Sequence, residues 1–234
     1  MFNLSGRVAV VIGGTSGLGE AIACGLMKQG ATVVSASRRT GCDVRDRASV
    51  DELRDRTLDE FGGVDILVNA AACTFRKPTI QISESECSDL IDINLTGALR
   101  SCQSFYGPLK ASGRGRIVNI VSLASYLGFY EVTAYSAAKT ALLSLTRSLA
   151  VEWARDGIVV NAIAPGVFPT ELNAALVLGT PRGEEMLKRT PMGRFGRPEE
   201  LVGAAVLLAS DAASFITGQC IAVDGGYLAA GVNQ

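Results

Sequence analysis

Val8-Ala9-Val10-Val11-Ile12-Gly13-Gly14-Thr15-Ser16-Gly17-Leu18-Gly19 is the stretch whose reading decides the fold. The β-branched run Val8–Ile12 has the composition and length of a short buried strand. It stops at Gly13-Gly14, and a helix begins near Ser16 with Ile22, Leu26 and Met27 on one face. Gln29-Gly30 closes that helix with the glycine expected just past a C-terminus. A second strand, Thr32–Ser35, follows at once, so the segment reads as a βαβ unit with a glycine turn. Glycine also suits any tight strand-to-helix connection. Here Gly13, Gly17 and Gly19 follow a strand, open a helix and precede a second strand, the context in which backbone approaches a pyrophosphate at a helix N-terminus.

Composition narrows what such a chain can do. Its 234 residues suit one α/β domain, 1–234, with a substantial core. A net charge of −1 leaves no broad electrostatic footprint for nucleic acid. No apolar run reaches membrane-spanning length and the N-terminus lacks a signal-peptide pattern, so a soluble cytoplasmic protein is expected. The six cysteines form no Cys-x-x-Cys pair and read as buried free thiols, with no metal site. The chain has no histidine, which excludes Ser-His-Asp hydrolysis and any histidine general base. Acid/base chemistry falls to Tyr, Lys, Asp, Glu or Cys.

Beyond the second strand stands Ser37-Arg38-Arg39. In a dinucleotide fold this position meets the adenosine ribose, where an acidic residue suits NAD and arginine suits the 2′-phosphate of NADP. A solvated basic loop is the alternative. Only Thr40-Gly41-Cys42 then precede Asp43-Val44, which reads as the end of a third strand. Five residues span at most about 17 Å, whereas a parallel crossover takes a dozen or more. Either the chain breaks between Ser37 and Asp43 or strand three is missing.

Further strands are expected at Val64–Val68, Arg116–Val121, Ile158–Ile163 and Gln219–Val223, with helices at Arg45–Phe61, Ser83–Ser104, Tyr135–Trp153 and Pro198–Ser210. The alternation implies a doubly wound parallel sheet of about seven strands flanked by helices, with its site along the strands' carboxyl ends. Residues 168–196, rich in Gly, Pro, Thr and Arg, suit a substrate lid. Asn94 is a poor mid-helix residue, either used through its side chain or simply exposed. Tyr135 and Lys139 share a helix face, and a cation there would lower the tyrosine pKa.

Together these residues resemble the short-chain dehydrogenase/reductase family over nearly the whole chain. The Thr-Gly-x-x-x-Gly-x-Gly turn stands as Ile12 to Gly19, Asn-Asn-Ala-Gly as Asn69-Ala70-Ala71-Ala72, and Tyr-x-x-x-Lys as Tyr135 and Lys139. The resemblance implies a Rossmann fold, catalytic Asn94, Ser122, Tyr135 and Lys139, and exchange of hydride between a ketone and a secondary alcohol. It also implies cofactor contacts by Gly13, Thr15, Ser16, Gly17, Leu18, Gly19, Ser37, Arg38, Arg39, Asp43, Val44, Asn69, Ala70, Ala71, Tyr135, Lys139, Pro165, Gly166, Val167 and Thr170. NADP(H) is favoured over NAD(H), and a homotetramer or homodimer is implied. Ile12, Ala70 and Ala72 depart from the family pattern and should alter loop hydrogen bonding rather than chemistry.

Two branches of the family fit. A 3-oxoacyl-[acyl-carrier-protein] reductase of fatty acid biosynthesis is the leading reading, its acidic acyl carrier protein met by Arg114, Arg116 or Arg155, although Asp156 opposes this. A gluconate-type sugar-acid or polyol dehydrogenase is the alternative, with Arg76, Lys77 or Arg194 for the carboxylate. A cofactor-binding regulatory protein would have lost Ser122, Tyr135 or Lys139, and all three are present.

Overall fold

The computed structural model describes residues 1–231. Its elements run β1 (Val8–Ile12), α1 (Gly17–Lys28), β2 (Thr32–Ala36), α2 (Arg47–Phe61), β3 (Ile66–Asn69), α3 (Glu84–Ile91), α4 (Gly97–Ala111), β4 (Arg116–Ile120), α5 (Thr133–Trp153), β5 (Val159–Pro165), α6 (Ala174–Val177), α7 (Pro181–Lys188), α8 (Val202–Ala209) and β6 (Cys220–Val223). The strands form one parallel sheet in the order β2-β1-β3-β4-β5-β6. Strand alternation divides the core between two faces. Ala9, Val11, Val68 and Ile163 pack under Ile22 and Leu26 of α1 and Ala205 and Leu208 of α8. Val10, Ile12, Leu67 and Val160 pack under α2, α4 and α5, through Leu53, Phe105 and Trp153.

The sheet has six strands, not seven, and the difference falls at the short connection. No strand lies between β2 and β3 among the described residues, so β2 is the sheet edge. Ser37 instead caps a single 3₁₀ turn, Arg38–Thr40, and the Thr40 side chain caps back to the Ser37 backbone N–H. Gly41, with φ +85°, lets the chain reverse, and the Cys42 N–H returns to the Ser37 carbonyl at 2.9 Å. Cys42 and Val44 then drop into the core, and Asp46 caps α2.

The long helix expected over Ser83–Ser104 starts at the Ser83/Glu86 capping box and runs on to Ala111. A π turn, Asp92–Thr96, interrupts it at Asn94. Segment 168–196 is less irregular than its composition implied, because it contains α6 and α7. All six cysteines are free, but only Cys42 and Cys102 are buried, and Cys24 is exposed. Among the described residues no helix is long and apolar enough to cross a membrane.

Candidate active site

β1 runs on one side to β2 and on the other to β3, so a crevice opens beyond their carboxyl ends, where the strand order reverses. A cavity of about 450 Å³ fills it. Its floor is the glycine turn. Gly13 has φ +85°, and a Cβ there would stand 2.5 Å from the Ala71 nitrogen. At Gly19 a Cβ would stand 2.1 Å from the Gly13 carbonyl oxygen, so helix and turn meet backbone to backbone. Ser16 caps α1 without a side-chain hydrogen bond, leaving the first-turn N–H groups free to face a phosphate.

One end of the cavity is basic. The Thr15 hydroxyl donates to that of Ser37 at 2.8 Å, tying the turn to the end of β2. Arg38 and Arg39 line the cavity with exposed side chains and no ion pair among the described residues. Asp43 also lines it, but Arg45 grips its carboxylate at 2.6 Å and pulls its pKa down to about 2.

The other end carries the polar groups suited to proton transfer. Ser122 follows β4 and caps the turn Leu123–Ser125 by accepting from the Ala124 N–H at 3.1 Å. Tyr135 and Lys139 stand one turn apart on α5, with the ammonium 5.8 Å from the phenol ring centre. Lys139 is 2% exposed and donates to the Ile120 carbonyl at 2.9 Å. Burial lowers its pKa to about 8, with the neighbouring Cys73 acting in the opposite sense. Burial pushes the Tyr135 phenol upward, and the Ser122 hydroxyl, hydrogen-bonded to it, pulls the other way. The depression of the tyrosine expected from Lys139 is not found: burial leads, Cys73 adds to it, and the Ser122 hydrogen bond alone opposes it.

The structure gathers every predicted catalytic and cofactor-binding residue around this cavity except two. Asn69 turns back into the core, donating to Asn119 at 2.8 Å and to Cys102 Sγ at 3.3 Å. Asn94 lies behind the wall at the π turn, donating to the carbonyls of Cys73 and Leu90 at 2.9 and 3.0 Å, and its Oδ1 has no partner among the described residues. A π turn opens one backbone rung and recurs at functional sites, a feature that helical periodicity does not reveal. Sequence reading missed Cys73, Phe129, Arg182 and Met186, which line the cavity from loops and α7. Only the position of Arg182 within the lid segment hinted at it.

The chain belongs to the short-chain dehydrogenase/reductase family: the family model described as Enoyl-(Acyl carrier protein) reductase matches residues 35–228. It is therefore an oxidoreductase. It is 38% identical to 2-dehydro-3-deoxy-D-gluconate 5-dehydrogenase of Dickeya dadantii, over 97% of this chain and 98% of that protein. It is 40% identical to cis-4-hydroxycyclohexanecarboxylate dehydrogenase of Sinomonas cyclohexanicum, over 95% and 97% of the two chains. The crystal structure of a gluconate 5-dehydrogenase from Burkholderia cenocepacia in complex with NADP and tartrate superposes with a TM-score of 0.92 at 35% identity, covering 98% of each chain. The Dickeya alignment runs to 247 positions, although 97% of this chain is only about 227 residues. That surplus of about 20 positions is about the length of one crossover helix and strand.

Proposed function

We propose that the protein is an NADP(H)-dependent dehydrogenase of a sugar acid of the gluconate type or a close hydroxy-acid analogue, interconverting a secondary alcohol and a ketone. The observation that carries this is one cavity with Ser122, Tyr135 and Lys139 at one end and two unpaired arginines, with no acidic residue at Ser37, at the other. The residues fit the cofactor: the close approach of Gly13 and Gly19 leaves backbone N–H groups for the pyrophosphate, and Arg38 with Arg39 suits a 2′-phosphate. When bound, the NADP(H) nicotinamide would supply the hydride exchange with the carbon bearing the substrate oxygen. Tyr135 takes the hydroxyl proton during oxidation and gives it back during reduction, while Ser122 hydrogen-bonds the same oxygen. Lys139 holds positive charge beside the phenol and shares the ribose end of the site. Asn94 supports the relay from behind, its free Oδ1 accepting a water.

The sugar-acid reading now stands ahead of the 3-oxoacyl-[acyl-carrier-protein] reductase. Relatives named for gluconate and another hydroxy acid support it. So does the position of the cations expected to dock a carrier. Arg116 opens β4 and Arg155 precedes β5, so both lie at the amino ends of the strands, opposite the cavity. Arg114 pairs there with Asp65 at 2.8 Å. The test sets NADP reduction with gluconate against NADPH oxidation with acetoacetyl thioester. Gluconate turnover is expected, and turnover of the thioester alone would overturn the reading.

A further inference from the structure

The cations that the sequence offers for a substrate carboxylate are already paired. Arg76 holds Glu131 at 2.6 Å, Lys77 holds Glu86 at 2.8 Å, and Arg194 holds Glu200 at 2.7 Å. None of the three lines the cavity. Arg182 does. It is the second residue of α7, half-buried, and its Nη1 donates to the Tyr130 backbone carbonyl at 3.0 Å. Tyr130 lies in the segment joining Ser122 to Tyr135, so the guanidinium sits on the substrate side of the reaction centre. Arg38, Arg39 and Arg45 lie at the other end.

The surroundings of Arg182 leave its charge unanswered. The charged and titratable groups facing it are Arg76, Glu131, Tyr227 and Glu185. Glu131 is taken by Arg76, and Glu185 by Arg189 at 3.0 Å. Arg182 itself has no ion pair among the described residues, and one neutral carbonyl accepts one of its N–H groups. Burial and the like charge of Arg76 both work against the guanidinium, which stays protonated regardless. Arg76, Arg182 and Arg189 thus stand against the two carboxylates of Glu131 and Glu185, a local excess of one positive charge. A guanidinium edge with free donors takes a carboxylate in two parallel hydrogen bonds, which a lysine does not match.

We propose that Arg182 anchors the carboxylate of the substrate while the carbon bearing the hydroxyl or keto oxygen lies at Tyr135. This rests on the reading of the site as an NADP-dependent hydroxy-acid dehydrogenase and supplies the residue that separates acids from neutral polyols.

The test compares Arg182→Met and Arg182→Lys with the wild type, both with NADP bound. Gluconate is set against sorbitol, which has the same carbon chain with a hydroxymethyl group in place of the carboxylate. Arg182→Met should raise KM for gluconate about 30-fold and lower the gluconate-to-sorbitol ratio of kcat/KM by the same factor. Arg182→Lys should recover part of the loss, and NADP affinity should hold within about twofold in both variants. A parallel rise in KM for sorbitol, or an unchanged KM for gluconate, overturns the anchor. Calorimetric titration of the NADP-loaded protein with tartrate separates the anchor from the assigned reaction. Tartrate binding in the wild type and its loss in Arg182→Met support the anchor even if gluconate is not turned over, in which case the proposed substrate falls alone. Absence of wild-type tartrate binding, or equal affinity in Arg182→Met, overturns the anchor and leaves the proposed reaction to its own assay.

Discussion

The two ends of the cavity are supported in opposite ways. At the reaction end, Lys139 is 2% exposed, and Asn119 and Thr146 are fully buried. Hydrogen bonds join Asn69 to Asn119 at 2.8 Å, Asn119 to Thr146 at 3.0 Å, and Thr146 to the Leu142 carbonyl at 2.8 Å, linking β3, β4 and α5. At the adenosine end, the support is one 3₁₀ turn on an edge strand, and its arginines stand in solvent. The same kind of charge therefore acts with different force. Burial removes water from around Lys139 and makes each interaction there expensive to form and to lose. Water screens Arg38 and Arg39, so the phosphate-selecting role proposed for them would contribute less per charge. Losing a strand at the second end is tolerable because little of the first depends on it.

Substitutions at the two ends should then differ in scale. Tyr135→Phe should show the largest effect, lowering kcat about 10³-fold while NADPH still binds, since it removes the proposed acid/base hydroxyl and leaves the ring in place. Stopped-flow turnover with fluorescence titration of NADPH checks it, and a near wild-type rate would sink the mechanism. Next comes the buried ammonium. The folded-state pKa of Lys139, about 8, lies below its ordinary 10.5. The unfolded chain therefore binds the extra proton between these values, and stability contributed by this group rises with pH across that window. Below pH 8 the buried charge costs the fold about 3 kcal/mol. The stability of Lys139→Met relative to wild type should change by that amount between pH 7 and pH 10.5, in favour of the wild type at high pH. Denaturant midpoints at the two pH values measure it, and a constant difference would mean the lysine titrates normally.

Asn119→Ala should destabilise the fold by about 2 kcal/mol, because it leaves Asn69 and Thr146 without their shared partner in a dry interior. A urea midpoint close to wild type would show that the chain of amides and hydroxyl is not a support. The smallest effect belongs to the exposed end. Arg38→Ala should weaken NADP binding about tenfold and leave NAD binding nearly unchanged. Equal losses for both cofactors would show that Arg38 supports the turn rather than reading the 2′-phosphate. A large loss there, comparable with that at Tyr135, would erase the contrast between the two ends.

Much of this was legible in the chain because local physics writes it locally. The β-branched run and glycine turn of 8–19 specify strand, turn and helix start from short-range sterics. The capping box at Ser83 and Glu86 and the one-turn spacing of Tyr135 and Lys139 are equally local. Contour length is arithmetic too: five residues cannot carry a crossover, which left a chain break or a missing strand, and the fold shows the missing strand. Other features depend on partners distant in sequence. Cations at Arg76, Lys77 and Arg194 look available until Glu131, Glu86 and Glu200 are found beside them. Arg114, Arg116 and Arg155 look like a docking patch until the parallel sheet puts them at the end away from the site. Asn94 stands out in the sequence as a poor helix residue, but only the fold shows the π turn around it and its buried side-chain Oδ1 without a partner among the described residues.

The amino-acid sequence by itself determined the βαβ start, the parallel α/β class, the set of Ser122, Tyr135 and Lys139, the basic residues at Ser37-Arg38-Arg39 and the absence of histidine chemistry. These follow from propensity, spacing and composition, which act over a few residues, with Ser122 joined to the tyrosine and lysine by the family resemblance. Tertiary structure alone decided which charges are answered and which are left open, that burial raises the Tyr135 phenol rather than lowering it, and that Arg182 lines the cavity with no ion pair among the described residues. The reason is physical: burial and Coulomb attraction depend on distances through space, and only the folded chain brings α7, the 126–132 loop and the ends of the strands to one cavity.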